Sequence, residues 1–145
     1  DGSQTYYHAF KYKTRGNTSS SVEYSILFRL SELYLIRSEA YAQLDQLELA
    51  AQDLNTVRSR AALADVAYTG KENLLDQILN ERKHELFTEA GHRFFDLKRT
   101  NQLDAVLEPL KSGWEPTDQL LPLPENELLI NPNLAPQNPG YQSEN

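Results

Sequence analysis

Residues 22–62 decide the fold, and they read VEYSILFRLSELYLIRSEAYAQLDQLELAAQDLNTVRSRAA. Apolar side chains recur in this stretch at helical spacing, which predicts one amphipathic helix over 22–44 and a second over 47–62. The polar pair Asp45 and Gln46 separates them. Because helices joined by so few residues pack antiparallel, the stretch predicts a helical hairpin of tetratricopeptide type. Ala50 and Ala51 would let the two backbones approach closely.

The first predicted helix carries one apolar stripe that we expect to face the core. Its members follow helical spacing: Ile26, Leu30, Leu33, Tyr34, Ala40, Tyr41 and Leu44. Stacked helical pairs bury both of their faces only when neighbouring helices cover them. A single pair is therefore expected to leave an apolar face exposed.

The remaining sequence predicts further helices and an irregular C-terminal region. A third helix is expected over 73–90 with Gly91 as its stop, and a short fourth helix over 93–99. Residues 1–21 form a polar lead-in with a possible short strand at 5–13. All seven prolines lie beyond residue 108, so no long helix is predicted there. Residues 100–145 should wrap over the helices as extended segments and turns, anchored by their leucines.

These patterns predict a mainly α fold in a single domain over 1–145, with a lead-in (1–21), a helical core (22–99) and a C-terminal wrap (100–145). The 145 residues carry a net charge of −7, which argues against a nucleic-acid partner because phosphate binding needs clustered cations. The absence of cysteine excludes disulfides and thiolate metal sites. No apolar run reaches the roughly 20 residues of a membrane span. Since the chain starts at Asp1 and contains no methionine, we expect it to be a mature form, a proteolytic product or a cloned piece of a longer protein.

Acidic residues at four-residue spacing form the most conspicuous polar cluster. Glu81, Glu85 and Glu89 share one helix face, and Asp96, Arg93 and Arg99 follow closely. Like charges on one face are unfavourable unless cations lie between them. We interpret these residues as a structural ion network that docks the 93–99 segment on the third helix. The alternative is acid–base catalysis by Glu81, Glu85, Glu89 and Asp96 in a hydrolytic enzyme.

Histidines and aromatic residues supply the other candidates. His84 and His92 are eight residues apart, about 12 Å along a helix, so they cannot share one zinc ion, and we expect no metal or other cofactor. Trp114 and Tyr68 lie in predicted loops and are candidates for stacking against a sugar face. A packing anchor is the alternative interpretation of Trp114.

Three segments in order resemble the SusD/RagB family of nutrient-binding lipoproteins. The first is RLSELYLIRSEAYA at 29–42 with DLNTVRSRA at 53–61, and the second is ILNERKHELFTEAGHRFFDLKR at 78–99. The third comprises LPLPE at 121–125, NPNL at 131–134 and QNPGY at 137–141. The resemblance covers residues 24–141, matches the C-terminal portion of the family and implies a SusD-like α/α superhelix in a longer protein.

The resemblance also implies a function for the complete protein. Members bind glycans or other nutrients without catalysis, on the external face of the outer membrane, beside a SusC-like TonB-dependent transporter. Their membrane attachment is a lipid on an N-terminal part, and their ligand contacts come mainly from loops that precede this region. The alternative left open by the hairpin alone is a generic tetratricopeptide-like module for protein interactions.

Overall fold

The computed structural model describes Thr5, residues 9–11 and residues 26–141. These residues form helices and turns, and no strand occurs among them. In chain order the helices are α1 (Leu30–Gln43), α2 (Leu47–Arg60), α3 (Lys71–Glu85), α4 (His92–Arg99), α5 (Leu103–Leu107) and α6 (Glu125–Ile130), with 3₁₀ turns at Pro116–Gln119 and Pro132–Leu134. The predicted mainly α fold class is confirmed. The possible strand at 5–13 lies largely outside the described residues.

The chain forms two compact units, the first ending at Arg93 and the second beginning at Phe94. In the first unit, α1 and α2 make the predicted antiparallel hairpin. Ser38 donates a buried hydrogen bond of 2.7 Å to the Ala50 carbonyl, while Arg37 and Asp53 pair one turn further along the hairpin. The prediction of a single domain over 1–145 stays a prediction.

Small side chains line the closest approach of the two hairpin helices. Ser38, Ala42 and Ala50 are fully buried, and Leu35 and Leu54 fill the adjacent space. The core of this unit consists of Leu35, Ala42, Ala50, Ala51, Leu54, Val57, Leu74 and Ile78. Because short side chains let helix axes come close, the alanines act as the sequence suggested.

The predicted stripe on α1 is wrong for Ile26, Leu30, Leu33 and Leu44, which are exposed, whereas Tyr34 and Tyr41 pack partly against the core. The buried positions are Ser31, Leu35, Ser38 and Ala42, whereas Leu30 and Leu33 are 70% and 55% exposed. Close packing against α2 selects the face with small residues, which rotates the larger leucines outward. The result is the apolar outer face of α1, formed by Leu30, Leu33 and Ile36. The expectation of one exposed apolar face is thus confirmed.

Two helix boundaries differ from the predictions for tertiary reasons. α1 begins at Leu30 because Arg29 is extended (φ −124°, ψ 139°) and reaches toward α3. α3 ends at Glu85 rather than near Gly91, and Thr88 and Ala90 adopt positive φ in the turns that follow. The predicted interruption between α1 and α2 is confirmed, with Asp45 in the left-handed conformation at φ 59°.

α3 runs antiparallel to α1 and parallel to α2. Lys71 at its start donates to the Gln43 carbonyl at the end of α1, and Glu81 near its end pairs with Arg58 near the end of α2. Parallel neighbours need a connection that returns along the helix length. Residues 61–70 provide this return path, running beside α2.

The second unit has a small core around Leu97, Leu103 and Trp114, against which Phe94 packs. Phe95, the next residue along α4, is 56% exposed. The C-terminal leucines are poorer anchors than predicted. Leu121, Leu129 and Ile130 are all exposed, and residues 125–130 form the short helix α6. Side-chain amides hold this region instead. Gln137 both accepts from the Leu123 amide and donates to its carbonyl, and Asn138 donates to the Leu121 carbonyl.

A close approach at Gly140 closes the second unit. Its φ of +87° is left-handed, and a Cβ there would lie 2.6 Å from Thr117 Oγ1. Glycine is therefore suited to this position both by its backbone conformation and by the contact with Thr117. Gly113 has a similar φ of +82° but no atom near its missing Cβ. An added Cβ would cause backbone strain at both glycines but steric overlap only at Gly140. Comparing the two positions therefore distinguishes these two costs.

We expect Gly140→Ala to lower the free energy of unfolding of the second unit by about 3 kcal/mol, since strain and overlap add. Gly113→Ala is the matched control and should cost about 1 kcal/mol from strain alone. Urea denaturation followed by Trp114 fluorescence measures both. Equal losses for the two variants would contradict the contact with Thr117.

Candidate functional site

The C-terminal end of α3 gathers the strongest cluster of charges in the first unit. The Glu85 carboxylate accepts hydrogen bonds from Ser31 (2.8 Å) and from the guanidinium groups of Arg29 and Arg60. These donors come from the start of α1, from the residue preceding it and from the last residue of α2. One carboxylate therefore joins α1, α2 and α3.

Arg29 and Lys11 extend this cluster to Glu89. Arg29 Nη1 lies 2.7 Å from Glu89 Oε1, and Lys11 Nζ lies 2.5 Å from the same oxygen. Both cations also donate to the Glu85 carbonyl, at 3.0 and 2.7 Å. The last carbonyls of a helix lack intrahelical donors and carry partial negative charge. Arg29 and Lys11 thus cap α3 while they neutralise Glu89.

Glu81 belongs to a neighbouring ion pair one turn earlier on α3. Its carboxylate is buried and lies 3.0 Å from Arg58 Nη1. Arg58 also donates to the Ala64 carbonyl at 3.0 Å. Glu81 therefore fixes α2 and the start of the return segment to α3.

Two opposing effects set the pKa of Glu85. Burial raises the pKa, but the hydrogen bonds from Ser31 and Arg60 and the charges of Arg29 and Arg60 lower it by more. The net result is a pKa below the ordinary value of 4.5. A carboxylate held ionised in this way is a poor proton donor at neutral pH. The arrangement suits a structural anchor.

Glu81, Glu85 and Glu89 all take part in ion pairs, and their cationic partners are distant in sequence. Their ion pairs are made with Lys11, Arg29, Arg58 and Arg60. The predicted pairing with Arg93 is not among these contacts. Asp96 and Arg99 pair with each other at 2.9 Å within α4. Docking of the 93–99 segment through Arg93 stays a prediction.

His84 and His92 contact different residues. His92 Nδ1 is 3.7 Å from Glu32 Oε1, whereas the exposed His84 lies 2.8 Å from the Asn80 carbonyl. Within the residues that the structure describes, no three His, Asp or Glu side chains come together in a group able to hold a metal ion.

Trp114 is only 8% exposed and packs in the core of the second unit. Its indole N–H donates to Asp104 at 2.9 Å, and Asp104 also accepts from Gln119 at 2.8 Å. These contacts support the interpretation as a packing anchor, and a ligand contact for Trp114 stays a prediction.

Tyr68 lies on a groove of about 620 Å³ between α2 and the return segment. The groove also exposes Glu48, Gln52 and Asp65, which sequence reasoning missed. The first two could have been recognised from their four-residue spacing on the polar side of α2. The path of the return segment gives no signal in the sequence.

We expect Arg29→Ala to lower the free energy of unfolding by about 3 kcal/mol, because the loss leaves the partly buried Glu85 and Glu89 without a shared cation. Arg60→Ala is the matched control. It removes a partner of the same Glu85 oxygen, but Arg60 is 60% exposed, so its loss should cost under about 1 kcal/mol. Urea denaturation followed by circular dichroism measures both. Arg60→Ala costing as much as Arg29→Ala would contradict the bridging role.

The stabilisation by Glu85 should depend on pH. Because its folded-state pKa is below the ordinary value, the contribution of the ionised carboxylate is fully present above pH 4.5. It is lost as the pH falls through the folded-state pKa. The stability difference between wild type and Glu85→Gln should therefore be largest near pH 7 and shrink on acidification, as measured by urea denaturation between pH 7 and pH 3. Asp76→Asn, on the exposed side of α3, is the control, and a Glu85→Gln deficit that grows in acid would refute the assignment.

Comparisons with known proteins agree with this architecture. A family model described as the SusD family matches residues 1–115. Two SusD-like proteins of Formosa agariphila are 35% and 36% identical, over 86% and 84% of this chain. The chain spans about a quarter of the length of these relatives, 26% in each case.

Solved structures show the same fold. A SusD superfamily protein from Bacteroides vulgatus superposes with a TM-score of 0.68 at 28% identity, covering 79% of this chain and 27% of its own. A SusD-like protein from Bacteroides fragilis gives 0.63 at 26% identity, covering 77% and 25%. The predicted tetratricopeptide-like helical fold is thereby confirmed. With a family match over residues 1–115, relatives above 30% identity and neighbours of the same fold, the chain belongs to the SusD family.

Proposed function

We propose that the complete protein is a non-enzymatic subunit that binds glycans at the cell surface and delivers them to a SusC-like TonB-dependent transporter. The observation that carries this proposal is the family match over residues 1–115. The proposed location is the external face of the outer membrane, through a lipid on an N-terminal part. None of the helices in the described part of the chain is long and apolar enough to cross a membrane.

The chemistry of the charged cluster favours binding over catalysis. A general acid needs a raised pKa and a general base needs access to substrate. Glu85 instead has a lowered pKa, and Glu81, Glu85 and Glu89 are all tied to cations. These residues stabilise the scaffold on which binding loops would sit.

A module for protein interactions is the second candidate function. The apolar outer face of α1 favours it, because exposed apolar patches mark surfaces that pack against protein. The same face also suits further helices of the same protein, as helical repeats require. The two candidates are therefore separated by ligand binding.

We expect the complete protein to bind at least one polysaccharide in a panel of neutral and acidic glycans, measured by isothermal titration calorimetry. It should also co-purify with a TonB-dependent transporter from detergent-solubilised outer membranes. Heat-denatured protein is the control for the glycan panel. Failure to bind any glycan, together with recovery of soluble protein partners only, would favour the second candidate.

A further inference from the structure

The groove beside α2 has two walls of different origin. One wall is the polar side of α2, where Glu48, Gln52, Asn55 and Ser59 follow each other at three- and four-residue spacing. From Glu48 to Ser59 this wall is about 16 Å long at 1.5 Å per residue. The other wall is the return segment, which contributes Asp65, Val66 and Tyr68. The groove is shallow and largely open to solvent, so a ligand there would lie along the surface of α2 and not in an enclosed cavity.

Side-chain amides hold the return segment in place. Asn55 Oδ1 accepts from the Val66 amide at 2.8 Å, and Gln77 Nε2 donates to the Ala67 carbonyl at 2.7 Å. Asn73 Oδ1 accepts from the Thr69 amide at 3.2 Å. Tyr68 packs partly against the core of the first unit. The groove is therefore preformed, which lowers the entropic cost of binding.

The groove offers unused polar groups next to an aromatic ring. The side chains of Glu48, Gln52 and Asp65 make no hydrogen bond or ion pair with any other residue that the structure describes, and neither does the Tyr68 hydroxyl. These groups can accept and donate hydrogen bonds at several points along the groove. The groove has a volume of about 620 Å³ and is largely open to solvent, so a bound ligand would keep one side in water.

The charges of the groove restrict the class of ligand. The described residues that line it include two carboxylates, Glu48 and Asp65, but no lysine or arginine. Sulfate and carboxylate groups would meet like charge there without a cation to pair with. Hydroxyl groups, in contrast, can donate to carboxylates and amide oxygens. An apolar sugar face can lie against an aromatic ring.

We propose that the groove between α2 and the return segment is a binding subsite for a neutral oligosaccharide, with a sugar face on Tyr68 and hydroxyl groups on Glu48, Gln52 and Asp65. The proposal rests on the glycan-binding function proposed above and narrows it to uncharged glycans. It adds a contact region on the helical scaffold itself.

The test uses the complete protein and calorimetry with hexasaccharides of starch, cellulose and mannan, and with hexagalacturonate as the anionic counterpart. Gln52→Ala should weaken the best neutral ligand at least about threefold through loss of a hydrogen bond. Tyr68→Ala should weaken it about tenfold through loss of stacking and burial. Tyr68→Phe keeps the ring and should retain most of the affinity. Gln43→Ala, an exposed glutamine on α1, is the matched control and should bind like wild type.

The outcomes separate this subsite from the general function. Because Tyr68 touches the core, its variants are read only after circular dichroism shows a wild-type melting temperature, while Gln52→Ala tests the groove from the exposed helix. If wild type binds a glycan, and Gln52→Ala and a folded Tyr68→Ala bind it equally well, the subsite is wrong and the glycan-binding function stands. Equal or tighter binding of hexagalacturonate at the groove also overturns the proposal. No binding of any glycan by wild type removes both proposals.

Discussion

The contact of Arg29 with Glu85 and Glu89 is the constraint on which the first unit depends. Arg29 precedes α1, and the two glutamates lie at and beyond the end of α3. For the guanidinium to reach both, the chain must enter α1 in an extended conformation and the end of α3 must lie beside the start of α1. The ion cluster therefore fixes where α1 begins and which ends of the helices meet. Hydrophobic burial alone, being non-directional, would not specify this register.

The hairpin was predictable because its signals are local, whereas the orientation of α1 was not. The interruption at Asp45 and Gln46 is visible in sequence, and the structure places the turn there. The face that α1 buries depends on the partner helix, because Ala50 on α2 accepts the hydrogen bond from Ser38 and leaves space only for small side chains. A buried face chosen by counting apolar residues includes the larger leucines. This choice is wrong where two helix backbones come close, because only small side chains fit between them.

The candidate site shows the same division between local and distant information. The three glutamates were recognised as a network from their spacing, but spacing on one helix says nothing about cations that arrive from other elements. Sequence proximity therefore suggested Arg93, while the structure pairs the glutamates with Arg29, Arg58, Arg60 and Lys11. Tyr68 was singled out for its loop position. The spacing of Glu48 and Gln52 on α2 is visible in the sequence, but only the path of the return segment brings them beside Tyr68.

The apolar outer face of α1 has a practical consequence for handling the protein. The exposed side chains of Leu30, Leu33 and Ile36 form this face, and their contact with water is unfavourable. When no other protein surface covers this face, the protein will self-associate more strongly as its concentration rises. The apparent molecular mass and stability of the protein will then depend on its concentration. The apolar outer face of α1 lies opposite the core around Leu35 and Leu54. Replacing its side chains with polar ones should therefore give a monodisperse sample and leave the core intact.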